Sequence, residues 1–186
     1  MDLFSYILIL TSVIYALAVA QLLDGVSRLV QYSHPVRTFI PHTIWMINIF
    51  LFIFLVWWAS WEFREIEWTF PMYAYMLIAP TLFFLASSLL IPQRLDNEGV
   101  DLERHFFRIR RLFFSSYFFG AFAVMVDGNV LSDEAIWHSG RIAHIAIIGA
   151  AITGYFSESK RMHLSLSVIT LLAISGVALT RFLFPR

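Results

Sequence analysis

Three sets of polar residues interrupt an otherwise apolar chain at spacings that could do chemistry. Gln21, Asp24, Arg28 and Gln31 recur at intervals of 3, 4 and 3, which puts them on one face of a helix. Glu134, His138 and Arg141 repeat the pattern, with His144 one turn further on. Carboxylates, an imidazole and guanidinium groups on apolar helices are the side chains that line permeation paths and proton relays inside membranes. The third set, Arg104, Arg108 and Arg111, is purely cationic and leads into Ser115 at spacings of 4, 3 and 4. A cationic stripe entering a membrane suits phosphate-bearing lipid headgroups or another anion.

Each set also has a plainer reading. Asp24 and Arg28 are an i,i+4 pair that can neutralise itself where a span ends. The three arginines can snorkel to the headgroups. His144, the deepest histidine of the chain, can be a hydrogen-bonded packing residue. His42, His105 and His163 fall at the starts of three different segments, and no helix carries two histidines a few turns apart, so neither metal nor haem is expected. No cofactor of any kind is implied. The sequence contains no P-loop, GxGxxG, HExxH or usable GxSxG. No acidic pair sits at acid–base spacing within a span, so no catalytic centre is expected and the chain reads as non-enzymatic.

The elements that carry these residues must be membrane helices. Of 186 residues 59% are hydrophobic and 14% charged, against about 25% charged in soluble domains. A soluble domain of this size could not bury so much apolar surface. Long apolar runs without alternation choose α-helices over a membrane β-barrel. The runs predict an all-α, six-transmembrane-helix bundle in one integral-membrane domain, with helices near 3–31, 41–62, 69–91, 104–126, 132–156 and 162–183 and a hydrophilic linker at 92–103. Met1-Asp2 lacks the positive charge of a leader, so 3–31 reads as an anchor despite Ala18-Val19-Ala20.

Local signals refine the plan. Pro41 and Pro71 suit first helical turns, Thr69 and Ser132 suit caps, and Asp133 and Glu134 suit a helix start. Pro80 predicts a kink in the third segment and Pro92 its end. The apolar part of the fourth, 112–126, is short, so the helix must reach back to about His105, with Arg110 pointing away from the arginine stripe. Asn48 reads as an interhelical hydrogen-bonding residue, and Ala146, Ala150 and Gly154 as a small-residue stripe for close packing. Trp57, Trp58, Trp61, Trp68, Tyr73 and Tyr75 mark one membrane face.

Charge orients the bundle. Arg28, Arg37, Arg94, Arg104, Arg108, Arg110, Arg111, Lys160 and Arg161 fall on one side, and Arg64, Arg141, Arg181 and Arg186 on the other. The richer side is expected to be cytoplasmic, with both termini periplasmic. A three-plus-three division permits an inverted repeat, for which only Leu23-Asp24-Gly25 and Val126-Asp127-Gly128 correspond.

The stretches ALAVAQLLDGVSRLV, PHTIW and DLERHFFRIRRLFF resemble a family of small multi-pass bacterial membrane proteins with no assigned function. The resemblance implies a bacterial inner-membrane location and several helices, and no activity. Two functions stay open. One is a small transporter or channel for ions or small solutes, oligomeric because one chain is too small to enclose a path. The other is a sensor or scaffold subunit binding anionic lipid or a partner protein through the basic 104–111 stretch. Neither implies nucleic acid; the expected partners are the bilayer and further copies or another membrane protein.

Overall fold

The computed structural model describes residues 3–93, 99–131 and 141–182, with side chains to Thr180. In chain order these form α1 (Leu3–Gln31), β1 (Val36–Arg37), α2 (Ile40–Ala59) ending in a 3-10 turn at Ser60–Phe63, α3 (Phe70–Met76), α4 (Ile78–Leu90), β2 (Val100–Asp101), α5 (Leu102–Leu131), α6 (Arg141–Phe156) and α7 (Lys160–Val177), which widens into a π turn at Ala178–Phe182. Five stretches are long and apolar enough to cross a membrane: Leu3–Gln31, Ile40–Phe63, Phe70–Leu90, Leu102–Leu131 and Lys160–Thr180. That is compatible with a multi-pass membrane protein. The remaining apolar helix, α6, has 16 described residues, about 24 Å, against a hydrocarbon core of about 30 Å.

The local signals act as their chemistry requires. The third segment breaks at Leu77 into α3 and α4, because Pro80 has no N–H to offer the Met76 carbonyl four residues back. Pro41 and Pro71 both occupy first turns. Thr69 stands at the N-cap of α3 in extended conformation, but its side chain makes no capping bond. Ser159 caps α7 by accepting from the Met162 amide, so this helix starts at Lys160. The fourth expected segment, now α5, is longer than expected at both ends, since Leu102 to Leu131 is continuous. The expected Ser132 cap, with Asp133 and Glu134 behind it, lies outside the described residues.

The helices alternate in direction, and α4 lies between α1 and α5, α6 between α5 and α7, and α2 against α7 and α4. Lipid is as apolar as leucine, so packing and hydrogen bonds rather than hydrophobicity must join them. Aromatic contact supplies much of this. Trp45 meets Phe113, Phe114 and Tyr117 at 5.7, 5.1 and 5.4 Å between ring centroids, and Phe52 meets Phe83 at 5.2 Å. Each such pair contributes about 0.5–1.5 kcal/mol beyond its buried area. Asn48 Nδ2 donates to the Ser167 carbonyl at 2.9 Å, tying α2 to α7 as its type suggested. Leu17, Phe54, Leu112, Phe119, Ile145 and Leu172 stand exposed around the perimeter, as a lipid-facing surface requires.

α1 lies along α4, and Phe106 and Phe114 of α5 meet His163 near the start of α7.

Candidate functional site

Six elements converge where α1, α4 and α6 end and α2, α5 and α7 begin. Here the sequence forms a two-residue parallel sheet that an all-helical reading does not anticipate: Val36 pairs with Val100 and Arg37 with Asp101. Gly99 permits it. Its φ of 112° is open to glycine, and a side chain there would run into the Pro35 carbonyl. Asp101 then caps α5, one oxygen accepting from the Arg104 amide at 2.9 Å and the other from Arg37 at 3.0 Å. The Arg104 amide holds the Asp101 carboxyl below the usual carboxylate range; desolvation opposes it, and the Arg37 guanidinium adds to the lowering. Glu103 bridges Arg37 at 3.7 Å and Lys160 at 2.5 Å, so all three hydrophilic connections expected to be cytoplasmic are tied together.

The three histidines seen at segment starts meet here. Carbonyl oxygens only accept, so each ring must donate through Nε2. His42 donates to Leu90 at 2.7 Å, His105 to Leu89 at 3.0 Å and His163 to Ser157 at 2.9 Å. Each ring thereby satisfies a carbonyl at or just past the end of α4 or α6, groups that a helix terminus leaves without partners. All three are buried; Phe106 lies 6.3 Å from His42 and 5.1 Å from His163, and His105 lies 6.2 Å from His42. Among the described residues no group of three His, Cys, Asp or Glu side chains could hold a metal ion. The arrangement is a clamp that ties helix ends together.

The arginines of α5 divide by face. Arg110 turns inward, 5% exposed, and pairs with Glu158 at 3.2 Å across the Phe107 ring. Arg104, Arg108 and Arg111 face outward. Arg108 donates to His105 Nδ1 at 3.2 Å, and among the described residues no carboxylate pairs with any of the three. By contrast Arg28, Arg37, Arg64, Arg110 and Lys160 all have acidic partners. The same face continues into exposed Phe119 and Phe122.

The residues expected to line a permeation path do not come together. Gln21, Asp24 and Arg28, with Asp24 and Arg28 paired at 2.9 Å, face Ser88, Ile91 and Gln93 across a polar groove of about 330 Å³ at the basic end. Arg141 is buried at the opposite end and donates to Asn129 Oδ1 at 2.8 Å. Ile145 and Ile152 of the same helix face outward instead. His144 lines a cavity nearby. Glu134 and His138 lie outside the described residues.

That cavity is the feature that sequence reasoning missed. It measures about 90 Å³ and lies between α2, α5, α6 and α7, with Glu62, Asp127 and His144 among its walls. Asp127 carried a signal: Phe106, Phe113, Gly120 and Asp127 are spaced by seven, and the first three are buried on one face of α5. Between this cavity and the basic end stand Trp45, Phe113, Phe114 and Tyr117, all fully buried.

No family model, curated protein or solved structure matches the chain.

Proposed function

We propose that the protein is an integral-membrane sensor or scaffold subunit that binds anionic phospholipid headgroups through Arg104, Arg108 and Arg111. One observation carries this reading: these three guanidinium groups face outward with no carboxylate partner among the described residues, while their neighbours are paired. The face they occupy runs from charge to Phe119 and Phe122, as a surface passing from headgroups into hydrocarbon should. From Arg104 to Arg111 the helix rises about 10 Å, so the deepest arginine reaches back to phosphate along its aliphatic stem. The knitted loops hold the stripe rigid. The richer basic side then lies against the anionic cytoplasmic leaflet, in keeping with an inner-membrane location.

A permeation path through a single chain has less support, because the aromatic layer separates the two polar ends. Such a path would have to run between copies.

The test is lipid selectivity of the purified protein, read by native mass spectrometry of retained lipid and by competition between phosphatidylglycerol and phosphatidylcholine. Each basic residue near an anionic surface contributes about 1 kcal/mol, so the Arg104→Gln, Arg108→Gln, Arg111→Gln triple variant should lose about 3 kcal/mol, roughly a hundredfold. Arg37→Gln, which removes a guanidinium already paired with carboxylates, should change selectivity little. Undiminished preference for phosphatidylglycerol in the triple variant would refute the assignment.

A further inference from the structure

We propose that the cavity between α2, α5, α6 and α7 binds a small organic cation, a protonated amine, with Asp127 as its counter-charge. The cavity's shape is the first argument. Its volume of about 90 Å³ exceeds several-fold the roughly 10–15 Å³ that admits one water on this measure. It therefore has room for an ammonium group carrying a few carbons. Its walls are mostly apolar, with Phe52, Leu55, Phe63, Ile147 and Ile174 among them, while its few polar groups are concentrated at one end of the bundle. Apolar walls with a few convergent polar groups are the usual form of a small-molecule site, and helix bundles place such sites between helices.

Charge decides the class of ligand. Among the described residues, two carboxylates, Glu62 and Asp127, and one imidazole, His144, line the cavity, and neither lysine nor arginine does. Glu62 is exposed, at the end of α2, and Asp127 is half-buried on α5. Among the described residues no arginine or lysine forms an ion pair with Asp127. Arg141, one turn before His144 on α6, directs its guanidinium to Asn129 instead. The Tyr75 hydroxyl lies within hydrogen-bonding reach of both Asp127 and the Ala123 carbonyl, the latter at 2.7 Å, so a neutral donor supports the carboxyl but no cationic side chain among the described residues does. A bound cation would supply that missing counter-charge inside a membrane-crossing helix. The aromatic rings of Phe52 and Phe63 add attraction for a cation and none for an anion. A bare divalent ion fits poorly, since it asks for six or more oxygen ligands and these walls are largely hydrocarbon.

This site and the arginine stripe lie at opposite ends of the bundle, so neither reading depends on the other. The experiment uses the full chain in phosphatidylcholine nanodiscs, where no anionic lipid engages the arginines. Titrations with ethylammonium and tert-butylammonium chloride, against tert-butanol and sodium chloride, are followed by calorimetry and thermal shift. The ammonium ions should bind and stabilise, and tert-butanol should bind at least about tenfold more weakly. Asp127→Asn should weaken ammonium binding by about tenfold to a hundredfold, the range of a hydrogen bond to a charged group, and leave tert-butanol unchanged. Ala143→Leu, which fills the cavity from α6, should remove binding of all of them, and it decides the matter even if Asp127→Asn does not fold. Equal affinity for tert-butylammonium and tert-butanol, an ammonium response reproduced by sodium chloride alone, no ammonium binding to the wild type, or undiminished binding in either folded variant would overturn the proposal.

Discussion

Two glycines five residues apart on α6 should respond oppositely to the same added methyl group. A Cβ at Gly154 would come within 2.4, 2.6 and 2.8 Å of three ring atoms of Phe114, where carbon–carbon contact favours about 3.5–4.0 Å. The ring must therefore retreat by about 1 Å, and it has nowhere to go. Phe114 is fully buried, with Phe113 at 4.8 Å, Trp45 at 5.1 Å and His163 stacked at 5.6 Å. Overpacking of this kind costs about 1–3 kcal/mol. Gly149, by contrast, has nothing within 4 Å of its Cβ position. Both substitutions gain the same helix propensity, about 1 kcal/mol, so the difference between Gly154→Ala and Gly149→Ala isolates the steric cost. Thermal and denaturant unfolding in detergent should place Gly154→Ala about 1–3 kcal/mol below Gly149→Ala. Adding Phe114→Leu should recover part of the loss in the first background and none in the second. Equal effects of the two alanines, or no recovery, would refute the account of α5–α6 packing.

Removing the donor in His42→Leu strands the buried Leu90 carbonyl and should cost about 1–3 kcal/mol. His42→Gln, whose amide reaches about as far as Nε2, should restore part of it, and a melting temperature for His42→Leu equal to wild type would exclude a capping role. Asp101 has a lowered carboxyl pKa in the folded chain, so its contribution is present above the unfolded value near 3.9 and fades as pH falls through the lower folded one. Asp101→Asn keeps an N-cap side chain and should flatten the stability–pH curve on that acid side alone. Asp101→Ala should also lose about 1 kcal/mol at neutral pH, and an unchanged acid limb in both variants would remove Asp101 from the account.

What the sequence makes legible is whatever depends on one helix at a time. The apolar runs, the break that Pro80 makes and the inward turn of Arg110 follow from local sterics and a 3.6-residue period, and each is found in place. What it hides are relations between helices. His42 and His163 announce only that a polar ring sits at the start of each helix. That both rings reach carbonyls at the ends of other helices, around one phenylalanine, depends on neighbours 48 and 6 residues away and on the order in which helices pack. The parallel pairing of Val36 with Val100 is likewise invisible, because two residues carry no period. The same blindness explains the divided polar stripes. Spacing places Gln21, Asp24 and Arg28 together correctly, yet it cannot say that Arg141 and His144 belong to the other end of the bundle. The bond from Arg141 to Asn129 on α5 has no signature within α6 itself. Asp127 is the instructive case. Its heptad relation to Phe113 marked it as interior, and an interior carboxylate in so apolar a helix signals a ligand or a partner more strongly than any surface stripe does.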